Sequence, residues 1–456
     1  MFAGVVFNKK TERIILDLFM LSIDQLLRPV SRISSPVIDN TLEKLSVNKK
    51  LNHFLKKRNS KKLLRIGQLK KVLVIPDINI GDAMICQSFI APLKRAFPDI
   101  EISYIYQQKA SPLVCINPDI DEHFPLFRSI GYPSEKDFAN LHNLLKGFRF
   151  DLVFNLNPYF TSKHFRAARS PVIYPLRLIS NIIRHYSIKG GKAHISVQMS
   201  KFAEELIEAL VLNPVNGGEK NKKGYFNRFF TTKTPYLRAQ KLLKKLNVKP
   251  ESKKVFLNPD TSCAYTRIPL GIQKEMLKGI LADPKTHLLL NCGFTFQGIE
   301  KELLRELPPS FRKRVAVIPK ETPIDVYAAL TDYSDVFITG DTAPLHIAAS
   351  RKFIVDSDLQ FRNATALVSI FGATSSKIYG YDSFSNDHIA APQDAPSKVF
   401  EVFPECKNIT CIDKIYKACP RVRCFDGLAT EPIIDYVASY LYGNGGKSAD
   451  CHDQSI

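Results

Sequence analysis

The sequence predicts an α/β protein of two domains, each a parallel sheet flanked by helices. Three observations carry this reading. The chain has 456 residues, 45% of them hydrophobic and 24% charged, enough interior for more than one core. Short apolar runs of strand length alternate with stretches of helix length. A Gly-, Asn- and Lys-rich segment from Pro214 to Gly224 separates two such series, as an interdomain linker would.

In the first series Lys71–Pro76 reads as a buried strand, followed by the turn Asp77–Asp82. The helix after it, Ala83–Phe97, is expected to kink or restart at Pro92, because a proline inside a helix removes a hydrogen bond and crowds the previous turn. Pro98-Asp99 ends it, and Glu101–Tyr106 is the next strand. Strand, helix and strand in so short a span form a βαβ unit and hence a parallel pair. Phe150–Leu156 adds a strand that ends in a polar loop.

The second series opens with a basic helix near Pro235–Leu246 and the strand Lys254–Pro259. Strands are expected at His287–Gly293, Val315–Ile318 and Val336–Thr339, with helices at Ile299–Leu307 and Asp325–Thr331 between them. After Val336–Thr339 comes a short polar turn, Gly340-Asp341-Thr342, and a helix whose first turn accepts Pro344 at no cost. Asp341 or Thr342 is expected to cap it. Pro432–Tyr442 reads as a closing helix.

Two turns carry the chemistry. A helix that starts at the carboxyl end of a strand presents unsatisfied N–H groups and a positive dipole end to phosphate, which suits the Gly340–Ala343 turn. In the other turn Gly81 bears no side chain and Asp82 sits at a helix start, where the dipole keeps its carboxylate ionised and able to accept a proton. Either turn alone is equally well an ordinary capped connection. Thr261, Ser262 and Arg267, in the polar loop after Lys254–Pro259, offer hydroxyls and a forked guanidinium to phosphate oxygens. The place where one ligand could meet all of these is the cleft between the domains.

Lys and Arg number 64 against 44 Asp and Glu, a formal charge of +20 that points to an anionic partner. Half of that excess lies in residues 1–70, with 15 Lys+Arg and 5 Asp+Glu. The apolar stretch Arg13–Arg28 is too short and too charged to span a bilayer; it fits a helix in the membrane interface beside Lys56-Lys57-Arg58, or equally a solvated basic arm. The order of a cleaved export signal is not evident, and nine cysteines in so long a chain do not make a disulfide framework, so a cytoplasmic protein is expected, peripheral on the inner face of the membrane if the arm binds lipid. Nucleic acid is not expected as a partner, since no recognition motif accompanies the charge.

Taken together, the pieces resemble the bacterial heptosyltransferases, glycosyltransferase family 9. The family's first signature is matched by Ile80-Gly81-Asp82 with Leu93–Pro98, its second in part by Asn258-Pro259-Asp260 with Arg267-Ile268-Pro269. Its third is matched by Asp341–Ala349 and a later one by Ile370-Phe371-Gly372-Ala373-Thr374. In order and spacing they cover about residues 70–440.

The resemblance implies a GT-B fold, two Rossmann-like domains facing across a cleft, and metal-independent transfer of a sugar with inversion. It implies domains at 71–240 (acceptor) and 250–405 (nucleotide-sugar) after a basic extension of 1–70, with 406–456 holding a cysteine segment, the closing helix and a tail. That helix would cross back to the first domain. The donor would be a nucleotide-sugar, ADP-heptose foremost, and the acceptor a lipopolysaccharide core or related glycolipid. Asp82 would be the general base. Gly340, Asp341, Thr342 and Ala343 would hold the donor diphosphate with Thr261, Ser262 and Arg267. Glu300 would reach the ribose region, and His346 would add a hydrogen bond or pack in the core. Asn79 and Gly81 would border the acceptor.

The sequence departs from the pattern at Ala343, where the family has Gly, at Thr266, where it has a phosphate-binding Lys, and at Ile268, where it has Trp. It also carries extra residues around Asp356–Gln360. These departures leave open a GT-B protein that binds a nucleotide or glycan without transfer. Cys406, Cys411, Cys419 and Cys424 lie within nineteen residues, a spacing open to a structural zinc or to reduced packing cysteines.

Overall fold

The computed structural model describes residues 69–76, 80–127, 134–146, 148–155, 173–175, 227–261, 264–291, 298–357, 365–381, 396–402 and 424–443, with residues 194, 196, 199, 200, 203, 204 and 207. The basic extension up to residue 68, Asn79, Ser262, Cys406, Cys411, Cys419 and the extra residues from Asp358 onward lie outside them.

The first lobe is a five-stranded parallel sheet in the order β3-β2-β1-β4-β5. Its strands are β1 (Lys71–Ile75), β2 (Glu101–Gln107), β3 (Glu122–Phe127), β4 (Leu152–Asn155) and β5 (Ile173–Pro175). Helix α1 (Ile80–Ala96) joins β1 to β2, and α2 (Glu135–Leu145) precedes β4. Val72, Val74, Ile102 and Tyr104 are buried against α1, where the Phe89 ring stacks on that of Phe154. β1 is apolar on both faces because helices cover both, the mark of a central parallel strand.

Helix α1 runs unbroken through Pro92. Proline cannot supply the N–H that the Ser88 carbonyl expects, and Ser200 Oγ donates to that carbonyl instead, at 2.9 Å. The helix begins at Ile80, earlier than expected, so Asp82 stands in the first turn and not at the cap.

The second lobe is a six-stranded parallel sheet in the order β13-β12-β10-β7-β8-β9. After β6 (Arg228–Thr231) and α3 (Lys233–Lys245) it is built from β7 (Lys253–Asn258), α4 (Leu270–Ile280), β8 (Thr286–Leu290), α5 (Ile299–Arg305), β9 (Val315–Val317), α6 (Ile324–Asp332), β10 (Val336–Gly340) and α7 (Ala343–Ala349). β11 (Arg351–Ile354), β12 (Ala366–Phe371), β13 (Ser397–Glu401) and α8 (Glu431–Tyr442) follow.

Numbered within its lobe, the sheet has the 3-2-1-4-5-6 order of a doubly wound dinucleotide-binding fold, and the first sheet is its 3-2-1-4-5 counterpart. In each, the order reverses between two central strands, β1 and β4 in one and β7 and β10 in the other. An aspartate fixes each reversal at the amino ends. Asp151 accepts from the N–H of Lys70 and Lys71, and Asp335 from that of Lys254, so the neighbouring strands start in register.

β6 pairs with β11 in a separate two-stranded parallel ribbon. Tyr236, Ala239 and Leu243 of α3 are buried with Val326, Tyr327 and Leu330 of α6. The expected limit at residue 240 thus falls inside a helix whose buried side chains belong to a second-lobe core. The first core in turn takes in Phe229, Ala328 and Ile347, so α6 and α7 close against α1. Helix α8 packs on α4, since Ile433, Val437 and Leu441, spaced by four, give it one apolar stripe buried in the second core. Thr430 Oγ1 donates to Glu275 of α4 at 2.9 Å. The expected crossing to the first domain is replaced, over the described residues, by this packing within the second lobe.

Candidate active site at the lobe junction

In doubly wound sheets a ligand binds beyond the carboxyl ends of the strands, where their order reverses. In the second lobe that point is the end of β7 and β10. Side chains tie the strand ends together: Asn258 Nδ2 donates to Thr339 Oγ1 at 2.9 Å, and Asn291 Nδ2 donates to Asn258 Oδ1 at 2.6 Å. Gly340 ends β10 under the Thr266 carbonyl. A Cβ there would stand 3.0 Å from that oxygen, so a side chain would push the 264–266 turn away. Thr261 and Thr266 share a hydroxyl–hydroxyl hydrogen bond of 2.8 Å. Arg267 Nε lies 3.5 Å from Asp260 Oδ1, both side chains largely buried, so the guanidinium is already engaged by a carboxylate.

Thr342 is the N-cap of α7 with extended backbone (φ −161°, ψ 165°), but its side chain does not bond the helix N–H groups, unlike the expected cap. Ala343 opens the helix without strain. Among described non-glycine residues only Asn247 has a positive φ, so the alanine imposes no backbone conflict. Asp341 is half-buried. Burial pushes its carboxyl up to about 6; the neighbouring Thr374 hydroxyl opposes the rise and the Asp82 charge adds to it. The two aspartates singled out in the sequence therefore feel each other's charge.

The first lobe's turn reaches the same place. A Cβ on Gly81 would stand 3.2 Å from His346 Cδ2 and 3.3 Å from Ala343 Cα, so the start of α1 rests directly on the start of α7. A side chain here would have to push the start of α7 back by a few tenths of an ångström, which glycine avoids. Asp82, half-buried, is next to it. Glu300 stands in the first turn of α5 after Gly298, which has φ 94°; the loop from 292 to 297 before it lies outside the described residues.

His346 is buried, and its Nδ1 pairs with the Tyr381 hydroxyl at 2.9 Å. Tyr381 accepts from Asn227 Nδ2 at 2.8 Å, Asn227 Oδ1 accepts from Ser196 Oγ at 2.7 Å, and the Ser196 N–H donates to His194 Nδ1 at 3.1 Å. Burial holds His346 down to about 4 and His194 to about 3, the His346 charge adding to the latter, and pushes the Tyr381 hydroxyl up. Sequence reading found His346 but not its partners, which stand 35 to 152 positions from it in the chain and belong to no local motif. Thr374 was in view only as part of the Ile370–Thr374 signature. There Gly372 is required, because a Cβ would collide with the Cys424 carbonyl oxygen. Cys424 itself is buried in the second core beside Phe425.

The aspartate at the junction has a signature in stability. Between pH 3.8 and about 6 the folded chain keeps the Asp341 proton that the unfolded chain has lost, so stability falls as pH rises through that window. Above it the penalty is complete. Asp341→Asn is expected to be more stable than the parent by about 1–3 kcal/mol at pH 8, and nearly equal to it at pH 4. Denaturant midpoints at the two pH values measure this, and a variant no more stable at pH 8 would refute it. The two buried histidines act oppositely, costing stability as pH falls below 6.5, but equally in both proteins.

No protein-family model matches the chain. A candidate glycosyltransferase of Haemophilus influenzae is 22% identical over 297 residues, 62% of this chain and 80% of that protein. The crystal structure of a family 9 glycosyltransferase from Veillonella parvula superposes with a TM-score of 0.58 at 15% identity, covering 82% of this chain and 97% of that one. ADP-heptose lipopolysaccharide heptosyltransferase II of Escherichia coli superposes with 0.53 at 15% identity, covering 81% and 98%. The chain has the GT-B fold of glycosyltransferase family 9 structures, the family its four sequence signatures resemble.

Proposed function

We propose that the protein is an inverting glycosyltransferase that moves a sugar, a heptose foremost, from an ADP-sugar to a lipopolysaccharide core or related glycolipid. One observation carries the reading: the Gly81-Asp82 turn lies against the start of α7, with both turns at strand-order reversals. In this reading the Asp341–Ala343 turn and the first N–H groups of α7 hold the diphosphate, whose charge grows as it leaves. Thr261, Ser262 and Arg267 border it, Gly340 leaves it room, and His346 backs the turn. Glu300 reaches the ribose. Asn79 and Gly81 line the acceptor path. Asp82 takes the proton of the acceptor hydroxyl as its oxygen bonds to the anomeric carbon, and the bond from that carbon to the diphosphate breaks on the opposite face. No metal takes part, and the enzyme works at the inner face of the cytoplasmic membrane.

The approach of Asp260 to Arg267 favours a second reading, in which the site binds a nucleotide-sugar without transfer, because a carboxylate of this chain competes with phosphate for that cation. A panel of ADP-, UDP- and GDP-sugars, read by thermal shift and then by mass of a glycolipid acceptor in the presence of chelator, separates the two. A ligand at one hundred times its Kd stabilises by about 2.7 kcal/mol. An ADP-sugar shift with a heavier acceptor supports transfer, and a shift without turnover supports the second reading. No shift with any nucleotide sugar would overturn both.

A further inference from the structure

Helix α3 has no role in the junction, yet its surface is unusual. It carries Lys233, Arg238, Lys241, Lys244 and Lys245 and no acidic residue. Pro235, Tyr236, Ala239 and Leu243 face the core, which leaves Leu237, Arg238, Lys241, Lys244 and Lys245 exposed, with Lys249 following. None of these cations pairs with a carboxylate among the described residues, and two acids that touch this helix are engaged otherwise. Asp356 accepts from the Lys233 backbone N–H at 2.7 Å, and Asp332 is buried against Lys352 and Tyr236.

The apolar residues complete the pattern. Exposed large hydrophobic side chains are rare among the described residues: Leu237, Val355 and Tyr442. Two of the three sit at this helix. Leu237 (39% exposed) lies in the row of cations, one turn from Lys233 and from Lys241. Val355 (51% exposed) follows β11, and its N–H donates to the Thr231 carbonyl just before α3 begins. A solvated helix of this length would normally mix its charges, and among the described residues the apolar tip of Leu237 stays exposed amid cations.

We infer that the outer face of α3, with Val355 beside its first turn, docks on an anionic phospholipid bilayer. The cations meet lipid phosphates, and Leu237 and Val355 enter the headgroup boundary. Nucleic acid would satisfy the cations but leaves two aliphatic side chains without a role. These residues are separate in sequence from the basic extension, and binding through them needs neither donor nor acceptor, so the test is independent of the transfer reaction.

The test uses the full chain and sedimentation with vesicles of phosphatidylcholine alone or with 30 mol% phosphatidylglycerol (~30 mol%, enough for the surface potential on which such attraction depends). Two variants are compared with the parent after thermal melts confirm the fold: Lys241→Gln/Lys244→Gln/Lys245→Gln, and Leu237→Ser/Val355→Ser. The triple variant should lose about 100-fold in partitioning onto anionic vesicles, from about fivefold per cation. The double variant should lose affinity with its salt dependence unchanged, since it removes no charge. Unaltered partitioning of both variants would overturn the inference and leave the basic extension as the membrane contact. If both variants bind anionic vesicles as the parent does but lose affinity for a single-stranded oligonucleotide, the occupant is nucleic acid and the inference also falls.

Discussion

Asp82→Asn is expected to lower kcat by about 10²–10⁴-fold, the usual contribution of a positioned general base, with donor binding retained. The argument starts from the helix. Asp82 is in the first turn of α1, where the dipole favours an ionised carboxylate by about 0.3–1 kcal/mol. Asparagine keeps the shape of the side chain and removes its charge, a change within what the fold is expected to tolerate. Gly81 presses on Ala343 and His346, which puts Asp82 at the edge of the turn assigned to the diphosphate. A base there is ready for an acceptor oxygen as that oxygen attacks. The substitution also has a readout that needs no substrate. The Asp82 charge helps raise the Asp341 carboxyl, so in the variant Asp341 should titrate lower, as carboxyl NMR would follow. Full kcat in the variant would remove Asp82 from the mechanism. An unmoved Asp341 would show that the two carboxyls do not share one site.

What the sequence made legible and what it hid divide along one physical line. β7 and β10 announce themselves because parallel central strands are apolar on both faces, and the polar turns at their ends stand out against those runs. Gly81 and Gly340 were legible as turn glycines, but not as positions without room for a side chain. The structure supplies His346 and Ala343 for one and the Thr266 carbonyl for the other. The helix does not restart at Pro92 as it was free to do, because Ser200 supplies the missing donor to the Ser88 carbonyl from 112 residues away. The side chains at residues 194, 196, 227 and 381 that reach His346 obey no period or spacing. Arg267 looked open to phosphate because its loop is polar; that Asp260 would fold back upon it depends on the loop's path.

The largest stability effect is expected away from the site, at Asp332. Its carboxylate lies 2.8 Å from Lys352 Nζ, with the two side chains 2% and 1% exposed, and it accepts from the Tyr236 hydroxyl at 2.6 Å. Three elements meet there: the end of α6, strand β11 and helix α3. Asp332→Ala leaves an ammonium group buried without a counter-charge, which costs about 3–5 kcal/mol. That is a third or more of the stability of a marginal fold near 10 kcal/mol. Removing both charges, as in Asp332→Asn/Lys352→Met, should restore most of the loss, because desolvation offsets much of what a buried pair gains. Chemical denaturation of the two single variants and the double gives the coupling energy directly. A loss below 1 kcal/mol for Asp332→Ala would mean that water reaches the ammonium. β11 follows α7 after a single residue, so strain at Lys352 could reach His346. If the pair acts only on stability, activity should track the folded fraction and kcat per folded molecule should hold; a fall in kcat at full folding would mean that the pair also sets the position of α7.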